Sequence, residues 1–283
     1  MTSTSTSTSD ADGDVPTDRR ATTATIVERH EGLVTVTLDR PRRKNAINAV
    51  MWNELDAVLG EIETDPSARA LVLTGADGNF SAGADLSGEE SNGLTGHGPQ
   101  LVLHEMRIVG RIIGRLQRLP KPTIAAVDGV AVGVALGIAL ACDLVVASDR
   151  ARFMEVFVKR GLALDGGTSW SIPRLIGPRR AKQMAFFGDT VDAATALEWG
   201  LINEVVAPEE LAATAESWGQ RLAAGPTTAL SLMKAQIDAS ATSTFDEALE
   251  GEARAQHIVY TTDDMQEGIR SFLERREPRF TGQ

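Results

Sequence analysis

One cysteine in 283 residues, Cys142, leaves no internal disulfide to hold the chain, and a reducing, cytoplasmic setting is the expectation. That thiol sits in an apolar run, where an inert buried side chain is expected rather than a nucleophile. Only four histidines occur, His30, His97, His104 and His257, and none stands at a metal-ligand spacing, so no metal is expected. Positive charge is also short. A formal net charge of −11 argues against a general binder of nucleic acid or of anionic membrane surfaces. Long hydrophobic runs are missing too. The most apolar stretch, Val130 to Cys142, is bounded by Asp128 and Asp143 and falls short of the roughly 20 residues needed to span a bilayer. The N-terminus lacks the basic start and apolar centre of a secretory signal. Its Thr/Ser repeats and acidic stretch read as a disordered tail over residues 1–20.

What is present is ordinary globular material, 42% apolar, in a chain long enough to bury a sizeable core. Thr25–Glu28 and Leu33–Leu38 flank Glu31-Gly32 as a hairpin. Met51, Leu55, Val58, Leu59 and Ile62 recur at helical spacing after Asn48, a suitable N-cap. Ala70–Thr74 reads as a buried strand, Leu101–Leu119 as a helix closed by Pro120 and Pro122, and Thr123–Val127 and Leu144–Ala147 as further strands. Alternation of strand and helix implies parallel pairing with right-handed crossovers, an α/β class. From Pro208 the pattern is helical throughout: Glu209–Leu222, Thr227–Ala239, Phe245–Val259 and Asp263–Glu274. A core over 21–207 and a helical region over 208–283 follow.

Three constellations could carry chemistry. Asn79-Phe80-Ser81-Ala82-Gly83-Ala84-Asp85-Leu86 follows a buried strand, and its small residues let a ligand approach main-chain N–H groups. It serves equally as a plain turn, and Ser81 lacks the surroundings of a nucleophile elbow. Asp128–Gly137 places Gly129, Gly133 and Gly137 every four residues. Either those glycines allow close packing of a buried helix, or a helix starting near Gly133 turns its first N–H groups toward an oxyanion. In Gly161–Trp170, Asp165 opens a helix, where an N-cap is the commonest use of aspartate. Arg40, Arg42, Arg43 and Lys44 form a basic cluster that reads either as a solvated turn or as an anion contact.

Taken in order, these pieces resemble the enoyl-CoA hydratase/isomerase (crotonase) superfamily. The resemblance runs from about Thr25 to Phe280. It includes Leu38-Asp39-Arg40-Pro41, Lys44-Asn45-Ala46-Ile47, the Phe80–Leu86 loop, Lys121-Pro122 through Asp143, Gly161–Trp170 and Arg279-Phe280-Thr281-Gly282. It implies a spiral of ββα units, a helical C-terminal region that builds a homotrimer or a hexamer of two trimers, and an acyl-CoA thioester as ligand. No separate cofactor is implied, since coenzyme A belongs to the substrate. The family's two oxyanion N–H donors fall by position on Ala84 and on Val134, where glycine is usual and where the valine side chain should narrow the pocket. Lys44, Asn45, Ala46, Ala82 and Leu86 fall where the nucleotide part of coenzyme A would lie, and Gly133, Phe157 and Trp170 border the acyl site.

The resemblance also separates reactions. Hydratases of the family carry two carboxylates at positions that read Gly137 and Phe157 in this chain. Both acids are missing, and Glu155, two residues from Phe157 on the same side of a strand, would restore one of them, not two, only through a shift of register. Isomerases of the family use a carboxylate at the turn that reads Leu164-Asp165-Gly166-Gly167 here, with Leu164 in place of proline. Phe157 and Trp170 are expected to desolvate Asp165 and raise its pKa. The expected activity is a 3-enoyl to 2-enoyl shift with Asp165 as acid–base. A hydratase, a hydrolase or dehalogenase with Asp165 as nucleophile, and a non-catalytic acyl-CoA binder are the alternatives.

Overall fold

The computed structural model describes residues 18–87 and 99–283. Strand β1 (Asp18–Ala21) pairs antiparallel with β2 (Thr25–His30), which forms the expected hairpin with β3 (Leu33–Leu38). The tail was expected to extend to residue 20, but residues 18–20 belong to β1. They gain ladder bonds to β2 and a fork from the Arg20 guanidinium to Glu61. Residues 1–17 of that tail lie outside the described residues.

Helix α1 (Ala49–Thr64) starts as its sequence dictates. The Asn48 side chain accepts the Met51 N–H at 3.0 Å, and Met51, Trp52, Leu55, Val58, Leu59 and Ile62 are buried. It crosses to β4 (Ala70–Gly75), parallel to β3; α2 (Pro99–Gln117) crosses to β5 (Thr123–Val127), and β6 (Val130–Val132) with α3 (Val134–Ala141) crosses to β7 (Leu144–Ser148). After these come β8 (Arg152–Met154), a 3-10 turn (Val156–Arg160), α4 (Thr168–Phe187), β9 (Thr190–Asp192), α5 (Ala193–Trp199) and β10 (Glu204–Val206). The large sheet has the order β1-β2-β3-β4-β5-β7-β10, and β6-β8-β9 form a small second sheet.

The two-residue period of the strands splits the core into two layers. Leu71 and Leu73 of β4 face α1, α2 and α3, together with Val34 and Val36. Ala70 and Val72 face the other way, with Leu33, Ile124 and Val146, against Leu211, Ala215 and Ala223 of α6 (Leu211–Ala223). Cys142 is buried and its thiol is pushed up to about 12, first by burial and then by Asp143.

Helices α7 (Thr227–Ser240), α8 (Phe245–Val259) and α9 (Asp263–Glu274) complete the chain. Arg69 ties this region to the sheet, donating to Thr227 Oγ1, the Phe280 carbonyl and the Gly225 carbonyl at 3.0, 3.0 and 2.6 Å. These helices leave large apolar side chains bare in the single chain: Ile237 is 72%, Phe245 77%, Phe272 81% and Leu273 73% exposed.

Candidate active site

A pocket of about 400 Å³ brings together Ala82, Gly83, Ala84, Leu86, Gly133, Val134, Phe157 and Asp165. They come from three segments separated by dozens of residues, and local geometry explains how each arrives.

The loop after β4 is stitched on two sides. Ser81 N–H donates to the Val130 carbonyl at 2.8 Å, and Val132 N–H to the Ser81 carbonyl at 3.2 Å, which lays the loop along β6. On its other side Ile47 N–H donates to the Gly83 carbonyl and Asp85 N–H to the Ile47 carbonyl, at 2.8 and 2.9 Å. Backbone polarity alternates along such a bridge, so the Ala84 N–H is directed away from Ile47. Among the described residues it has no backbone acceptor. Gly83 is needed for this course: its φ is +92°, and a Cβ there would lie 2.6 Å from the Val132 carbonyl oxygen. The buried Ser81 hydroxyl accepts the Gly83 N–H at 3.1 Å, so it serves the turn.

The second donor lies at a helix start. Gly133, φ +56°, is the N-cap of α3, and Gly137 N–H to the Gly133 carbonyl closes the first turn. Val134 therefore occupies the first helical position, where the N–H has no partner inside the helix and the positive end of the helix dipole adds to it. Among the described residues it too has no backbone acceptor. Gly129, expected to share a helix face with Gly133 and Gly137, instead precedes β6, because the helix begins only after Gly133.

Asp165 is brought to this helix by a contact that only glycine permits. A Cβ at Gly137 would stand 2.3 Å from the Gly166 carbonyl oxygen, so the 165–167 turn rests directly on α3. No side chain fits at position 137 without displacing that turn. Gly137→Ala should therefore lower stability by about 1–3 kcal/mol, read as a shift in the urea midpoint.

The N-cap expectation for Asp165 fails. Helix α4 starts at Thr168 with Gly167 as its cap, since Gly166 and Gly167 both take left-handed backbone. The Asp165 carbonyl, not its carboxylate, accepts Thr168 N–H at 3.2 Å and Thr168 Oγ1 at 2.9 Å. Carboxylate oxygen Oδ1 is buried without a hydrogen-bond partner, and burial pushes the group up to about 6.

Phe157 is buried beside Gly133 and forms part of the pocket wall. Trp170 does not. The first turn of α4 carries it to a neighbouring cleft with Gly114, Leu140 and Gly167, where it is 44% exposed and lies under the Arg174 guanidinium at 4.3 Å. Glu155 departs from expectation as well. It does not sit on a strand with Phe157 but precedes the 3-10 turn, and its side chain is fully buried and does not line the pocket. Its Oε1 has no partner and its Oε2 is 3.5 Å from Thr168 Oγ1; burial, then the charge of Asp165, push it up to about 8.

Lys44, Asn45 and Ala46 stand next to the pocket without lining it. The Lys44 carbonyl accepts Ala82 N–H at 2.9 Å, and Arg40 Nη1 donates to the Ala46 carbonyl. The buried Asn45 amide donates to the Ala76 and Asn79 carbonyls at 2.8 and 2.6 Å and accepts Arg40 N–H at 3.0 Å. Arg40, read as part of a basic cluster, turns inward to Asp85 at 2.9 Å, whereas Arg42, Arg43 and Lys44 are exposed near the pocket rim. Burial would raise the Asp85 carboxyl, but bonds from Ser87 and Arg40 hold it below the ordinary carboxylate range. The pocket also holds Arg160, which carries no signal in the sequence because it is one of several charges in a surface turn.

Two main-chain N–H groups without a backbone acceptor among the described residues and a buried carboxyl with one unbonded oxygen line one cavity, an arrangement that can hold an oxyanion while a proton moves nearby. The family model described as enoyl-CoA hydratase/isomerase matches residues 28–283. The chain is 40% identical over 252 residues to the 1,2-epoxyphenylacetyl-CoA isomerase of Escherichia coli K12, covering 89% of this chain and 96% of that one. It is 36% identical over 255 residues to the short-chain-enoyl-CoA hydratase of Clostridium acetobutylicum, covering 89% and 95%. A crystal structure of an enoyl-CoA hydratase from Bacillus anthracis superposes with a TM-score of 0.86 at 29% identity, covering 92% of this chain and all of that one. The chain belongs to the enoyl-CoA hydratase/isomerase family and is an enzyme of the crotonase fold.

Proposed function

We propose that this enzyme moves the double bond of an enoyl-CoA from the 3- to the 2-position, with Asp165 as the single acid–base. The observation that carries the reading is Asp165 itself, a carboxyl raised to about 6 and free of hydrogen bonds at Oδ1 in the pocket that holds Ala84 and Val134. Asp165 takes a proton from C2, and the C–H electrons move into the C1–C2 bond while the thioester oxygen becomes an oxyanion. The two N–H groups hold that charge. The proton returns at C4, the double bond settles between C2 and C3, and Asp165 is ionised again. One carboxylate suffices because it is base in one half-reaction and acid in the other. Hydration needs a second acid in the pocket, and Gly137 and Phe157 supply none.

Supplying 3-enoyl and 2-enoyl thioesters separately tests this. The 3-enoyl substrate should yield the 2-enoyl product, with solvent deuterium entering at C4 only to the extent that the Asp165 acid exchanges before it returns the proton. A 3-hydroxyacyl product from the 2-enoyl substrate would instead make the enzyme a hydratase, and release of free coenzyme A would make it a hydrolase.

We also read the bare apolar faces of α7, α8 and α9 as surfaces that other copies of the chain cover, in a trimer or a pair of trimers. Burying Phe245, Phe272 and Leu273 would contribute roughly 1.5–3 kcal/mol each. Sedimentation at micromolar concentration should show a trimer or hexamer, and a monomer there would count against the assignment.

A further inference from the structure

Glu155 is a buried carboxyl that the isomerase mechanism does not use, and its surroundings disfavour its charge. Thr168 Oγ1 carries one hydrogen. It has two neighbouring oxygens, the Asp165 carbonyl at 2.9 Å and Glu155 Oε2 at 3.5 Å. The carbonyl can only accept, so the hydroxyl hydrogen goes there. The 3.5 Å contact leaves Oε2 with at most a weak hydrogen bond, too little to offset the cost of a buried charge on Glu155. The rest of the environment agrees. The side chain is 0% exposed, Oε1 meets no donor, and no ion pair reaches it among the described residues. The titratable group that faces it is Asp165, across Thr168. Lys159, on the following turn, is directed outward to Asp189 at 3.8 Å.

The geometry points to Glu155 as a positioning residue: a neutral acid linked to Asp165 through Thr168, which keeps the site at one negative charge while the enolate forms. This inference rests on the proposed role of Asp165 and extends it. A carboxylate behind Asp165 would oppose the second anion that catalysis creates in front of it, since like charges in a dry site raise each other's energy. The coupling is reciprocal: when Asp165 takes the substrate proton and becomes neutral, Glu155 becomes easier to ionise. With Glu155 pushed up to about 8, the site would lose its single-charge state in mild alkali.

Two measurements on the full chain decide the matter. The first follows exchange of the C2 protons of a 3-enoyl thioester with solvent between pH 5 and 9.5, in wild type and Glu155→Gln. Wild-type kcat should fall about tenfold from pH 7 to pH 9, the response of one ionisation near 8. Glutamine keeps the shape but cannot ionise, so the same ratio should change less than about twofold in the variant. The second is infrared difference spectroscopy of the unliganded protein. A protonated-carboxyl band should persist at pH 7, vanish near pH 8, be absent in Glu155→Gln, and shift its midpoint to lower pH in Asp165→Asn. Equal alkaline limbs in wild type and Glu155→Gln, or exchange without the band, would overturn the role of Glu155. The band without exchange in any variant would overturn the isomerase reading and, with it, any part for Glu155 in turnover.

Discussion

Asp165→Asn should lower the isomerisation rate by about 10²- to 10⁴-fold, the usual contribution of a positioned acid–base group, and leave acyl-CoA affinity nearly unchanged. An amide keeps the size and planarity of the carboxyl but neither takes nor returns the proton. Folding should survive, because the carboxylate caps no helix; α4 is capped at Gly167, and Thr168 bonds the Asp165 main chain. The wild-type pH profile supplies an independent check. With Asp165 pushed up to about 6, kcat/KM should rise as pH passes through that value toward pH 7, below the alkaline limb assigned to Glu155. An Asp165→Asn enzyme that retains most of its turnover, measured by ultraviolet detection of the 2-enoyl product, would remove Asp165 from the chemistry.

Val134→Pro deletes a single hydrogen-bond donor and little else. Proline is favoured at the first position of a helix, where the N–H has no intrahelical partner, and Val134 occupies that position in α3. The preceding Gly133, at φ +56° and ψ −122°, has no side chain to clash with the proline ring. Loss of one oxyanion donor costs about 3–4 kcal/mol of barrier, so kcat should fall roughly 10²- to 10³-fold with a melting temperature close to wild type. Val134→Ala keeps the N–H and should retain most activity. If proline and alanine variants turn over alike, the main-chain N–H of Val134 does not hold the oxyanion.

Much of this architecture was legible wherever the sequence repeats a pattern or ends it with a capping residue. Asn48 before α1, Thr244 before α8 and Thr262 before α9 each accept a backbone N–H from the first turn, and those helices begin as expected. The hairpin of β2 and β3 and the buried runs of β4, β5 and β7 follow from β-branched and apolar composition. The short strands β6, β8 and β9 were not legible, because three residues carry no periodicity and pair only once the core has placed them. The site followed the same division. Ala84, Val134 and Asp165 came from motif order and share one pocket. Trp170 was misplaced because two left-handed glycines, Gly166 and Gly167, set the direction in which α4 leaves the turn. A strand alternation carried past Met154 would set Glu155 on the same side as Phe157, but β8 ends there and a 3-10 turn begins.

The buried carboxyls of Asp165 and Glu155, each with one oxygen left unbonded, have a consequence for calorimetry as well as for catalysis. Both hold protons more tightly in the folded chain than in the unfolded one, where they would titrate at ordinary carboxylate values. Between about pH 4 and pH 8 the folded protein therefore binds more protons at these two positions, and the contribution of this pair to stability declines as pH rises across that window. Folding is to that extent a proton-uptake reaction. Its apparent enthalpy at pH 6–7 should differ between phosphate and Tris by an amount set by the heats of ionisation of the two buffers, and Asp165→Asn together with Glu155→Gln should reduce that difference.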